Sequence, residues 1–560
     1  MERLELNGVW RFSFVENARW NDAAEPAFDA FMSVPGTFDT MPDWNSRRGT
    51  GFYRKEFHLE HDCTGAFLHI DGMGLCGRFE LDGREIGRSE LAYSALDFAA
   101  GPLAAGRHVL TAAIDNTLAE VPDRIFQPYY DFYGFGGFYG DVTLKLMTGE
   151  FGLDRVRVRT LDYRTGRVRL ILDFVGGAPA GEYAALVAFD GGEARRLAVR
   201  DGVVECEVPE FRLWSPEHPE LHSVTVQVGA ERAGAVFGIR EIAAAGKRLL
   251  LNGRDLYLLG VNRHETSGMS GGASSETLMI ADLQNLKRLG GNFIRGSHYP
   301  QRERFLDLCD RMGVLVWNET LGWNNTPEQM TDPKFIDLNR EQLQLMIRSS
   351  YNHPSVIVYG FLNECSSDTP EGEALVKLLC ETAHAEDSGR LVTFACNRRF
   401  TDRAHRYTDL IAFNTYPGWI ADRFDQEPTA GMAANQRRII DTMREKFGHD
   451  KPMIVSEMGT CGIYGQHDEA NAQWTEEFQA EYLRAVMDTV FAEPELRGLT
   501  IWQMNDARSF LRKGQNIRTK PLAQNLAGLF DLYRRPKLAF ATVRDGFTAF
   551  ARKQQAPAGK

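Results

Sequence analysis

Two glutamates close short apolar runs in this chain. Glu364 follows Val356-Ile-Val-Tyr-Gly-Phe-Leu-Asn363, and Glu457 follows Met453-Ile-Val-Ser456. Runs of β-branched and aromatic residues of that length read as buried strands, so each carboxylate stands where a strand ends. A solvated surface charge is the ordinary alternative for any glutamate, but an unpaired charge closing an apolar run is costly to bury. Strand ends are where barrel enzymes carry their reacting groups. A pair of carboxylates there suits glycoside hydrolysis, in which one group donates and then removes a proton while the other attacks or activates water.

The elements that must hold this pair form a series. Val314-Leu-Val-Trp317, Val356-Ile-Val-Tyr359, Leu410-Ile-Ala-Phe413, Met453-Ile-Val455 and Leu499-Thr-Ile-Trp502 alternate with helix-like segments such as the one from Leu278 to Leu289. That alternation predicts parallel β/α units closed into a catalytic (β/α)8 TIM barrel over 238–552. Upstream the pattern is different. Apolar runs punctuated by Pro35-Gly36, Asp71-Gly72 and Asp82-Gly83 predict a jelly-roll-like β-sandwich over 1–150. Val156-Arg-Val-Arg-Thr160 and Val168-Arg-Leu-Ile-Leu-Asp-Phe174 predict a smaller immunoglobulin-like β-sandwich over 151–237. Residues 553–560 are expected to be a disordered tail, completing a multidomain chain.

Composition narrows the partners. A net charge of -12 over 560 residues, with no long basic run, argues against nucleic acid and anionic membrane. It leaves room for a small anionic substrate, since one local arginine or lysine can bind a single carboxylate. The charged start, Met1-Glu-Arg-Leu-Glu5, and the lack of any membrane-length apolar stretch predict a cytoplasmic protein. Eight cysteines without CxxC spacing fit neither a zinc cage nor a disulfide framework. The expected partner is a small glycoside, and a homo-oligomer stays open.

Several ordered segments carry a resemblance. Leu258-Leu-Gly-Val-Asn-Arg-His-Glu265, Asn292-Phe-Ile-Arg-Gly-Ser-His-Tyr-Pro300, Asn352-His-Pro-Ser-Val356, Asn363-Glu364 and Ser456-Glu457 are similar to the signatures of glycoside hydrolase family 2. The resemblance spans almost the whole chain and implies a retaining exo-β-glycosidase, with Glu364 as acid/base and Glu457 as nucleophile. It also implies that Asn363 bonds the sugar 2-hydroxyl, that the Tyr416 hydroxyl lies beside the nucleophile, and that His264 and His298 line the sugar pocket. Trp502 offers either an apolar floor for a sugar face or a core side chain. Arg263 and Arg295 are read as supports that hold the nucleophile, or as direct substrate contacts. Asp131 matches a first-domain loop that reaches the barrel mouth in the β-glucuronidase branch; a simple turn is the alternative.

The identity of the sugar turns on a departure. Chain length, Asn414-Thr-Tyr-Pro-Gly-Trp419 and Gly528-Leu-Phe-Asp-Leu-Tyr-Arg-Arg-Pro-Lys537 look nearer the compact β-glucuronidase branch than the longer β-galactosidases. That branch reads its substrate carboxylate with Asn-x-Lys, whereas Asn525-Leu-Ala-Gly528 puts Ala527 where the lysine belongs. Arg512, Lys513, Arg518 and Lys520 precede it, either as a solvated loop or as the source of a cation from another direction. A carboxylate held from another direction suits another ring stereochemistry, so a β-hexuronidase favouring galacturonide over glucuronide is expected. A β-galactosidase is the alternative, and a non-catalytic carbohydrate-binding protein a more distant one. The family's β-galactosidases use Mg²⁺ and Na⁺, for which Glu265, Glu319 and Asp282 are the local counterparts. No metal spacing is present, and no cofactor is expected.

Overall fold

The computed structural model describes residues 1–21, 26–118, 124–419, 431–448, 450–509 and 520–555. It is a multidomain molecule of two β-sandwiches followed by a TIM barrel. The first sandwich packs a four-stranded antiparallel sheet against a six-stranded one between Glu2 and Met147. Alternation creates its inner face: along Cys76–Leu81, Phe79 and Leu81 are buried while Arg78 and Glu80 are half-buried. Trp10, Phe12, Phe38, Tyr53 and Phe138 fill the space between the sheets. The second sandwich, from Gly152 to Phe237, pairs sheets of three and four strands over a core of Val156, Leu170, Val187 and Val226.

The barrel follows a short antiparallel ribbon, Ile242–Ala245 with Arg248–Leu251, that helps close its floor. Its strands are β1 (Leu258–Asn262), β2 (Phe293–Gly296), β3 (Leu315–Glu319), β4 (Val356–Gly360), β5 (Leu391–Thr393 with Ala395–Cys396), β6 (Ile411–Asn414), β7 (Met453–Met458) and β8 (Leu496–Ile501). The sheet consists of nine hydrogen-bonded segments, but the two pieces of β5 flank Phe394, one pairing with β4 and the other with β6. Counted as one strand, they close an eight-stranded ring through the β1–β8 pairing. Every residue of β1, β3 and β4 is buried, as a sheet covered on both faces requires.

Outside lie α1 (Glu276–Leu289), α2 (Glu303–Met312), α3 (Pro333–Ser349), α4 (Pro370–Glu386), α5 (Met432–Phe447), α6 (Glu476–Phe491) and α7 (Leu538–Gln555). Local chemistry sets their ends. Ser275 caps the start of α1 through the Leu278 N–H, and Gly290, at φ 78°, ends it in the left-handed conformation that glycine adopts without strain. Asp332 caps α3 ahead of Pro333, whose missing N–H costs nothing in a first turn. The last helix overturns part of the expected tail. Lys553, Gln554 and Gln555 extend it, being good helix formers, and residues 556–560 lie outside the described residues.

The first sandwich reaches the barrel mouth. Tyr93 stacks on Tyr299 with ring centroids 3.9 Å apart and planes at 10°, a contact typically worth about 0.5–1.5 kcal/mol beyond its burial. The Gln342 amide donates to the Ala92 carbonyl and the Ser94 hydroxyl. The loop carrying Asp131 and Phe132 therefore abuts the C-terminal ends of the barrel strands, where Phe132 packs on His264 and His298.

Candidate active site

Arg295, in the middle of β2, organises the site. Its Nε and Nη2 donate in a fork to the two oxygens of Glu319 at 2.8 Å each, and Nη1 donates to Glu457 Oε1 at 2.5 Å. Nη1 also reaches Asn262 Oδ1 at 3.1 Å, and Nη2 reaches Asn363 Oδ1 at 3.0 Å. One guanidinium thus ties together the ends of β1, β3, β4 and β7. It is fully buried over the Trp317 ring. Burial disfavours its charge, yet Glu319 and Glu457 hold the group above the ordinary arginine range. For Glu319, burial alone would raise the carboxyl, but Arg295 and His298 keep it below its ordinary value.

The second oxygen of Glu457 accepts a hydrogen bond from the Tyr416 hydroxyl at 2.5 Å. Burial, with the charge of Glu457 beside it, keeps that phenol well above its usual range, so it remains a donor. Strand register explains the placement. Asn414 on β6 lies opposite Glu457 on β7, and the Thr415 N–H donates to the Glu457 carbonyl at 2.9 Å.

Glu364 is held differently. It follows β4 with φ 54°, two residues after Leu362 at φ 48°; left-handed backbone is costly for such side chains and gathers at functional sites. Its N–H donates to the Ala395 carbonyl at 2.8 Å, and its Oε1 accepts from the Asn414 amide at 2.9 Å. No cation pairs with it among the described residues. Burial pushes the Glu364 carboxyl up to about 7, the negative charge of Glu457 adds to the rise, and the Asn414 hydrogen bond opposes it. Two neighbouring carboxyls in such unlike settings can divide acid and nucleophile work at one pH.

Aromatic groups frame these carboxylates. Trp502, at the end of β8, is buried and stacks on His298 with centroids 5.3 Å apart; His264 meets it edge-on at 5.4 Å. His298 Nδ1 lies 2.8 Å from Glu319 Oε1. His264 Nδ1 lies 3.3 Å from the Tyr299 hydroxyl, while its buried Nε2 makes no hydrogen bond. Burial and the neighbouring His298 hold His264 well below the ordinary histidine range, leaving a neutral ring.

The remaining wall comes from loops. Asp131 Oδ2 pairs with Lys520 Nζ at 2.8 Å, and the ammonium lies 5.4 Å from the Trp419 ring centre, which itself packs on Tyr416. Burial works against a charged Asp131, but Lys520 holds it below the ordinary carboxylate value. Arg512, Lys513 and Arg518 lie outside the described residues. Asn525 is buried and uses Oδ1 to accept from the Ala527 N–H at 3.3 Å. Ala527 is fully buried in an apolar cluster with Trp502, Leu526 and Cys461.

The arrangement corrects one expected support and relocates three acids. Arg263 does not hold Glu457: its Nε donates to Asp282 at 3.0 Å, and its guanidinium lies over Phe305. The cause is alternation, since Asn262 is the register partner of Arg295 and Arg263, one residue on, faces the opposite way. Glu265, Glu319 and Asp282 are paired with Arg302, Arg295 and the Arg263–Arg534 pair respectively. Among the described residues, Asp307, Asp310 and His353 have ligand atoms within 4.8 Å of one another. They lie before β4 at the opposite end of the barrel, where His353 Nδ1 is 2.6 Å from Asp310 Oδ2. Asn414 and Trp419 were missed as site residues. Asn414 carries the same signal as the glutamates, a polar residue ending the apolar run Leu410-Ile-Ala-Phe413.

Comparison with known proteins gives the same family across the chain. Residues 242–551 match the model of the family described as "Glycosyl hydrolases family 2, TIM barrel domain". A beta-glucuronidase of Chlorocebus aethiops is 28% identical over 99% of this chain and 93% of its own length. The structure of a GH2 beta-galacturonidase from Eisenbergiella tayi bound to galacturonate superposes with a TM-score of 0.86 at 29% identity, covering 98% of this chain and 97% of that one. A Bifidobacterium dentium beta-glucuronidase complexed with coumarin-3-O-glucuronide shares the fold, with a TM-score of 0.86 at 24% identity over 98% of this chain and 97% of that one.

Proposed function

The chain belongs to glycosyl hydrolase family 2 and is a glycoside hydrolase, and on that premise we propose that it is a retaining exo-β-hexuronidase that favours β-galacturonide over β-glucuronide. One observation carries the mechanism: Glu457 is clasped by Arg295 and Tyr416 while Glu364, in no ion pair among the described residues, has its carboxyl pushed up to about 7. Glu457 attacks the anomeric carbon as Glu364 passes its proton to the glycosidic oxygen, so the carbon–oxygen bond to the leaving group breaks and a glycosyl ester forms. Ester formation removes the charge on Glu457 that helps keep Glu364 protonated. The Glu364 pKa then falls, and it takes a proton from the water that cleaves the ester. Asn363, anchored through Oδ1 to Arg295, keeps its buried amide nitrogen without a hydrogen bond, as a donor to the sugar 2-hydroxyl would.

The uronide reading rests on Lys520. An ammonium has three donors; Asp131 takes one, which leaves two for a ligand beside the Trp419 ring. Ala527, buried in an apolar cluster where the β-glucuronidase branch places a lysine, supplies no charge, so a carboxylate would be met from the Lys520 direction. The likeness to a beta-galacturonidase supports that choice. A β-galactosidase is the second reading, favoured by the same ion pair: Asp131 already balances Lys520 and suits a neutral sugar rich in hydroxyls. No described helix is long and apolar enough to cross a membrane. No disulfide joins any of the eight cysteines, which supports a cytoplasmic setting.

Aryl β-galacturonide, β-glucuronide and β-galactoside assayed in parallel at equal concentration test this reading. Galacturonide should give the highest kcat/KM. A preference for galactoside over both uronides would replace the hexuronidase by the β-galactosidase.

A further inference from the structure

The leaving group of a glycoside must lie on the outer side of its acid, because that acid has to reach the glycosidic oxygen. Beside Glu364, whose N–H donates to the Ala395 carbonyl, runs the segment after β5, Asn397-Arg-Arg-Phe400. Asn414 joins the two: its side-chain amide donates to Glu364 Oε1 at 2.9 Å, and its backbone carbonyl accepts from Arg399 Nη1 at 3.3 Å. Arg399 is thus one residue removed from the acid, and the two are in electrostatic reach of each other.

The guanidinium is only partly used. Nη1 is the atom spent on Asn414; Nε is buried without a hydrogen bond, and no described carboxylate forms an ion pair with the group. The edge left is the Nε–Nη2 edge, which forks onto a planar carboxylate. Neighbours add to this. Asn397 Oδ1 also lacks a hydrogen bond, Arg398 is ion-paired through Nε with Asp368 at 3.7 Å, and Arg438 of α5 contributes a further positive charge. The segment is half-buried up to Arg399, and Phe400 is exposed. A buried guanidinium nitrogen left without a partner this near the acid suits a ligand that brings its own oxygens.

We propose that Arg399 is a specificity-determining residue of the leaving-group site, where it forks onto a carboxylate of the aglycone. The natural substrate is then a glycoside whose second unit is itself acidic. This rests on reading Glu364 as the acid. It is independent of which sugar is cleaved.

The test uses whichever sugar the wild type hydrolyses fastest, attached to 3-carboxyphenol and to 3-carbamoylphenol. The ratio of kcat/KM for the acidic to the amide aglycone in the wild type is the reference. In Arg399→Gln that ratio should fall by about tenfold, the scale of one charge-assisted contact, and in Arg399→Lys by less, since charge survives without the fork. Comparing ratios cancels any difference in leaving-group ability. A role in shaping the loop alone would lower both rates together and leave the ratio unmoved, which overturns the proposal. Failure of the acid assignment would appear elsewhere, as full activity of Glu364→Ala on both substrates.

Discussion

The two walls of the pocket are built on opposite principles. Around Glu457 the polar groups stand at or beside barrel strand ends and are paired, with Arg295 alone joining β1, β3, β4 and β7. On the facing wall, Asp131, Trp419 and the segment holding Lys520 and Asn525 come from three separate stretches of chain, with one ion pair between them. Strand register fixes the first wall to within a hydrogen bond, whereas loops can exchange a lysine for an alanine without disturbing the barrel. On the proposed function, reaction type and substrate choice are stored in different parts of this molecule. They should fail separately.

The largest failure should come from the strand wall. Glu457→Gln should lower kcat by on the order of a thousandfold or more, because an amide cannot form the ester. Near wild-type activity in a folded variant would break the assignment. Arg295→Ala should follow, costing about 3–5 kcal/mol of stability in denaturant titration by stripping the buried Glu319 of its guanidinium and leaving it only His298. A loss below 1 kcal/mol would mean that the network is not the keystone described.

The loop wall should give smaller and selective effects. Lys520→Ala should lower kcat/KM for uronides by roughly one order of magnitude, the scale of a lost charge-assisted hydrogen bond, and should lower galactoside turnover less. Equal losses on both would sharpen the comparison against Lys520 as the carboxylate reader. The smallest effect is a pH limb. Glu364 must be protonated to act as acid, and its carboxyl is raised to about 7, so kcat/KM should fall as pH rises through that region. With an activated aryl leaving group, Glu364→Ala should lose this limb; a limb that persists belongs to another group.

Legibility in the sequence followed the same division. Glu364, Glu457, Asn363 and Trp502 were readable because each ends a buried run, and a strand end in a barrel can point a polar group only toward the mouth or the pocket. The barrel and both sandwiches were readable for the related reason that hydrophobic period differs between covered and half-covered sheets. Arg263 and Arg295 were not separable by type, although alternation from Asn262 holds the answer once strand pairing is known. Lys520 was one of four basic residues in a stretch without periodicity, and what marks it is its contact with Asp131, 389 positions earlier in the chain (520 − 131). Contacts of that separation leave no local pattern.

The most direct test joins the two carboxylates in one experiment. Glu364→Ala is mixed with an activated aryl glycoside of the preferred sugar, quenched, digested and examined by mass spectrometry. Loss of the base should leave the glycosyl ester unhydrolysed, so the peptide containing Glu457 should carry one glycosyl unit, and added azide should release it as the β-glycosyl azide. An unmodified Glu457 peptide, a label on another residue, or an α-azide would contradict the account.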